Sequence, residues 1–137
     1  MPVEAHRLVV DTSLWISFLL TESSEKLDRL FRSGGITLLF SDELLDELIE
    51  VAQRPKFRKY FSAIDLQELL LHLQTSGELI TVASQVQVCR DAKDNFLLNL
   101  ALDGRATHIL TGDGDLLALN PFEGISVLKI TDYLTSQ

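Results

Sequence analysis

Five short apolar runs alternate with longer stretches of helical spacing, and this alternation limits the fold more than any other feature of the chain. The runs are RLVV at 7–10, ITLLF at 36–40, LITV at 79–82, THILT at 107–111 and ISVLKI at 125–130. Their length and branched side chains suit buried strands. Between them lie TSLWISFLL, then SEKLDRLFRSGG closed by Gly34 and Gly35. DELLDELIEVAQR follows the N-cap residue Ser41 and is stopped by Pro55, and AIDLQELLLHLQTSG is closed by Gly77. A further helix opens in CRDAKD, runs through NFLLNLALD and closes at Gly104, and TDYLTSQ suits a short terminal helix. The pattern predicts an α/β fold with a mainly parallel central sheet of about five strands. At 137 residues, without internal repeats or linkers, residues 1–137 are expected to form a single domain.

Parallel sheets bind ligands beyond the carboxyl ends of their strands, and the acids of this chain gather there. Asp11 ends the first strand, Asp113 and Asp115 follow the fourth, and Asp94 opens the helix after the third. Each has a plain structural role available. Asp11 suits the N-cap of the next helix, and Asp113 or Asp115 can cap the turn in LTGDGDLL. Asp91 and Asp94 resemble a capping box. Glu47 is different, because it borders the apolar arc of Leu44, Leu45, Leu48, Ile49, Val51 and Ala52 on its helix. Such an acid is either a boundary residue or part of an internal polar site.

Taken together, four separated segments deliver carboxylates to one sheet edge, where uncompensated charges would repel and raise one another's pKa values. Hard, oxygen-preferring cations such as Mg²⁺ or Mn²⁺ relieve that repulsion. His6, His72 and His108 are isolated in sequence, which leaves no zinc-type cluster. Metal on carboxylates suits phosphodiester hydrolysis through an activated water. The net charge of −8 opposes binding to a polyanion. With five of the twenty acids neutralised by cations, however, fifteen acids face twelve bases, a small excess.

Other readings remain beside this one. A phosphatase or phosphoacceptor using Asp11 lacks a second acid two positions on. The G-x-G of Gly112 and Gly114 lacks the third glycine of a dinucleotide site. A non-catalytic interaction module can retain every acid. Arg54, Lys56, Arg58 and Lys59 form a basic segment interleaved with Phe57, Tyr60 and Phe61, suited to RNA phosphates and bases or to an ordinary solvated surface. No apolar run is long enough to span a bilayer, the start lacks the regions of a secretory signal, and the single Cys89 suits a reducing compartment. A cytoplasmic location is therefore expected.

The chain resembles the PIN-domain family, specifically the toxin-like members related to VapC-type toxins. VVDTSLWIS is similar to the family's first motif and carries Asp11, and SDELLDELIEVAQRPKF to its second, with the helical acid at Glu47. CRDAKDNFLLNLA is similar to the third, with its acid at Asp94, and HILTGDGDLL to the fourth, with Asp113 and Asp115. The resemblance implies an α/β/α sandwich, Mg²⁺- or Mn²⁺-dependent ribonuclease activity, homodimers and, for a toxin, a cognate antitoxin. On this reading Asp11, Asp94 and Asp113 hold the principal metal, with Asp113 favoured over Asp115 for direct contact. Glu47 and Asp115 orient water or help hold a second ion. Thr12, Ser13, Asp91 and Thr111 are expected to support these ligands. Ser13 departs from the family, many of whose members carry asparagine there, although its hydroxyl can still reach a carboxylate or water.

Overall fold

The computed structural model describes residues 5–21, 34–60 and 62–136. The expected helix SEKLDRLFRSGG lies outside them except for its closing glycines, as does Phe61. Five strands form one sheet: β1 (His6–Val10), β2 (Ile36–Phe40), β3 (Glu78–Leu79), β4 (His108–Leu110) and β5 (Ser126–Leu128). Their order is β3-β2-β1-β4-β5, and every neighbouring pair is parallel. Leu8 of the central β1 lies opposite Leu38 on one side and His108 on the other. Leu8, Val9 and Val10 are consecutive and all buried, so both faces of β1 are covered. The expected α/β fold with a five-stranded parallel sheet and flanking helices is therefore present.

The helices are α1 (Thr12–Thr21), α2 (Asp42–Ala52), α3 (Pro55–Arg58), α4 (Ala63–Ser76), α5 (Ala92–Asp103), α6 (Gly114–Leu117) and α7 (Ile130–Thr135). Ser41 caps α2 through its hydroxyl, which accepts from the Leu44 N–H at 3.1 Å. Leu44, Leu45, Leu48 and Ala52 turn inward from α2, which leaves Glu47 at the margin as its position on the helix requires. Pro55 opens α3 rather than merely ending α2, because its fixed φ and missing N–H suit a first helical turn. A capping box between Ser62 and Asp65 starts α4. Helices α1, α2 and α4 pack in sequence against one another, while α5 packs on β1 and β2. The right-handed rule for parallel crossovers assigns the two groups to opposite faces, because the chain reverses its direction across the sheet after β3.

The third strand is shorter than LITV at 79–82 suggests. Only Glu78 and Leu79 pair with β2, and the Ile80 N–H adds one bond to the Phe40 carbonyl at 2.8 Å. Beyond it the chain runs along α5 as an extended strap. Three polar side chains four residues apart on α5 hold that strap. Asp103 accepts from the N–H groups of Ala83 and Ser84, Asn99 from Val86, and Asn95 from Cys89. The helix thus supplies the hydrogen bonds a neighbouring strand would have given.

Candidate metal centre

The order of strands turns back at β1 and β4, and the space beyond their carboxyl ends is the topological switch point of the sheet. Asp11 follows β1 there, and Thr111, Asp113 and Asp115 follow β4. The N-terminus of α5 brings Asp94 to the same place. Carboxylate oxygens of Asp94, Asp113 and Asp115 all lie within 4.8 Å of one another. Asp94 is buried and Asp113 partly so, while Asp115 is exposed, so one side of the cluster opens to solvent.

The structural roles foreseen for these acids coexist with the cluster. Asp113 caps α6 by accepting from the Asp115 N–H at 2.8 Å, and Asp91 caps α5 by accepting from the Lys93 N–H. Asp94 does not complete a capping box among the described residues; it turns into the acidic group instead. Asp11 is held from two sides. The Thr111 hydroxyl donates to its Oδ2 at 2.8 Å, and the Ser13 N–H also donates to its carboxylate. The Thr111 hydroxyl accepts from the Asp113 N–H at 3.0 Å, so this one residue ties the loops after β1 and β4 together. Thr12 donates to Glu47 Oε2 at 3.0 Å, and Lys93 Nζ lies 3.5 Å from Glu47 Oε1.

Electrostatics carry the cost of this arrangement. Burial, then the charges of Asp113, Asp91, Asp11 and Asp115, push the Asp94 carboxyl up to about 6. Burial also raises Asp11, partly offset by the Thr111 and Ser13 hydrogen bonds and reinforced by Glu47 and Asp113. Asp11 and Asp94 are thus the two acids on which the charges of the others converge. A hard divalent cation matches this all-oxygen set and supplies the missing countercharge.

The trio within mutual reach is Asp94, Asp113 and Asp115. Asp11 and Glu47 lie outside it, bordering it electrostatically. Lys93 was not foreseen as a site residue, although its place between Asp91 and Asp94 in RDAKD signals a cation embedded in acids. The basic segment stands apart from the acids in its bonding. Arg54 pairs with Glu50 at 2.9 Å, while Lys56 and Lys59 lie over the rings of Phe57 and Tyr60. Arg58 ends α3 on an exposed surface. The histidines are less isolated than their spacing suggests. The rings of His6 and His108 lie 4.7 Å apart, and His6 Nδ1 shares a 2.6 Å hydrogen bond with the Tyr133 hydroxyl. Parallel pairing of β1 and β4 brings these two rings together, and they lie at the opposite end of the sheet from the acids.

Among the described residues, no helix is long and apolar enough to cross a membrane. Comparison with known proteins adds the lineage. The PIN domain matches residues 7–115, a span that includes all five acids. An uncharacterized protein of Methanocaldococcus jannaschii is 31% identical over 117 residues, covering 82% of this chain and 74% of its own length. A solved domain of a functionally unknown protein from the same organism shares the fold, with a TM-score of 0.58 and 18% identity over 91% of each chain. The chain belongs to the PIN domain family, whose members are generally nucleases and typically bind divalent metals.

Proposed function

We propose that this protein is a metal-dependent ribonuclease that hydrolyses RNA phosphodiester bonds at the acidic cluster. The observation that carries the reading is the convergence of Asp94, Asp113 and Asp115 within 4.8 Å at the sheet's switch point. Those three carboxylates would hold Mg²⁺ or Mn²⁺, with Asp11 adding its charge at Asp94. A cation held there would supply positive charge for the phosphate and make a neighbouring water more acidic. Glu47, oriented by Thr12 and balanced by Lys93, borders the cluster through the field it shares with Asp11. It is the residue suited to orient the attacking water or accept its proton. Thr111 fixes Asp11 and the Asp113 backbone, and Asp91 adds to the negative field at Asp94.

The same reading extends to biology. Resemblance to VapC-type toxins supports a toxin role, a homodimer and inhibition by an antitoxin. Arg54, Lys56, Arg58 and Lys59 would guide RNA phosphates toward the acids. The test is RNA cleavage in Mg²⁺ or Mn²⁺ by wild type, Asp11→Asn and Asp94→Asn. The wild type should cleave and both variants should lose most activity; equal cleavage by all three would reject the assignment.

A further inference from the structure

Beside the acids, the strap and α5 line an open surface cavity of about 500 Å³. Its position is fixed by the chain itself. Asn95 and Phe96 follow Asp94 directly on α5, and Ala92 lies two residues before it. Cys89, at the end of the strap, lines the same cavity, and its thiol is pushed up by burial and then by Asp94, Asp115, Asp113 and Asp91. The cavity and the acidic cluster are therefore neighbours.

The lining combines three properties that suit a nucleobase. First, Phe96 lines the cavity, is partly exposed and lies outside the apolar core formed by the described residues. Second, the side chains of Gln85, Gln87 and Arg90 make no hydrogen bond or ion pair with another described residue. Third, Asn99 is only 8% exposed, and its Oδ1 accepts from the Val86 N–H at 2.7 Å. That bond fixes the amide, and its Nδ2 donates to no described residue. That amide N–H is reached by solvent at the cavity, where a ligand can accept from it. The lining carries one cation and no carboxylate, unlike the neighbouring cluster.

We propose that this cavity is a subsite for one unpaired purine base of the RNA, stacked on Phe96 and read along its edge by Gln85, Gln87, Arg90 and Asn99. Single-stranded RNA is recognised in this way, by stacking and by hydrogen bonds to base edges. Arginine and amide side chains pair with the N7 edge of purines, and a purine ring gives the larger stacking face. The strap then has a function beyond closing the fold: its bonds to Asn95, Asn99 and Asp103 hold the reading side chains against α5. The inference rests on the ribonuclease reading, and it sets which phosphodiester reaches the acids.

The test is cleavage of a randomised RNA pool in Mn²⁺ by wild type, Phe96→Ala, Phe96→Trp and the exposed double variant Gln85→Ala/Gln87→Ala. Wild type should favour a purine at one position fixed relative to the cut. Phe96→Ala and the double variant should flatten that preference and raise KM about tenfold or more, the usual weight of one stacked base. Phe96→Trp should retain the preference. A wild type with no base preference, or variants with the wild-type site distribution and KM, would overturn the subsite. If Phe96→Ala does not fold, the double variant decides. If wild type does not cleave, the ribonuclease reading fails by itself. The cavity is then decided by amide shifts on titration with AMP and GMP. Shifts confined to residues 84–99 and lost in the double variant uphold it, and their absence overturns it.

Discussion

Asp94 concentrates the tension of the site in one side chain. It is buried, surrounded by four other aspartates, and its carboxyl is raised to about 6 from 3.8. In metal-free protein its ionisation therefore opposes folding. The favourable contribution is complete below about pH 4 and is lost as pH rises through 6, an effect of at most about 3 kcal/mol. Urea unfolding of wild type and Asp94→Asn in chelator should show this as a difference. The variant should gain stability relative to wild type between pH 4 and 7, and a pH-independent difference would contradict the shift. Thr111 makes the complementary case, because its buried hydroxyl donates to Asp11 and accepts from the Asp113 N–H. Thr111→Val should weaken Mn²⁺ affinity roughly 10- to 100-fold, as loss of a ligand's hydrogen-bond partner typically does. Calorimetric titration checks this. The convergence of Asp94, Asp113 and Asp115 was legible in the sequence, because each follows a strand or opens a helix at a predictable edge. Glu47 was marked only by its place beside an apolar helix face. Lys93 and Asn99 were not legible, since their partners, Glu47 and the Val86 backbone, come from other segments and only tertiary packing brings them together.

At the level of elements, the strap and the turn into β3 are the most informative. Helix positions followed from caps and apolar spacing, and Ser41, Gly77 and Gly104 mark the helix ends as expected. The third strand was overextended because LITV carries the branched residues of a strand, and its composition says nothing about competing partners on α5. The repeat of Asn95, Asn99 and Asp103 at helical spacing was the available signal. Asp103 is held below the ordinary carboxylate range by the Ser84 hydroxyl and the N–H groups of Ser84 and Ala83. Asp103→Ala should therefore speed hydrogen exchange at Ala83 and Ser84 while leaving the Leu8 and Val9 amides protected. Unchanged exchange at the strap would show that it is held otherwise. Gly77 sets a different limit. A Cβ there would lie 2.6 Å from the Leu73 carbonyl oxygen and 2.8 Å from that of Leu38, both backbone atoms that cannot swing away. Gly77→Ala should cost about 1–3 kcal/mol in urea unfolding, the usual range for overpacking.

On the scale of the whole molecule, the parallel sheet brings distant acids together while most of them keep a local structural task, Asp94 being the exception. Asp11 begins a helix, Asp91 and Asp113 cap two others, and the switch point places these ends side by side. The fold class was legible because alternating strands and helices have few solutions, whereas the sheet order appears only when the strands pair. The net charge of −8 has its counterpart in this concentration of acid, and a bound cation should stabilise the entire domain. At a hundredfold excess over Kd the gain is about 2.7 kcal/mol, provided that the unfolded chain does not bind the ion. The most direct measurement is a calorimetric titration of Mn²⁺ into wild type, Asp94→Asn and Asp113→Asn at pH 7. A metal centre at the acidic cluster should give saturable binding to wild type and severe loss in both variants. Binding of equal strength to all three, or none to wild type, would contradict it.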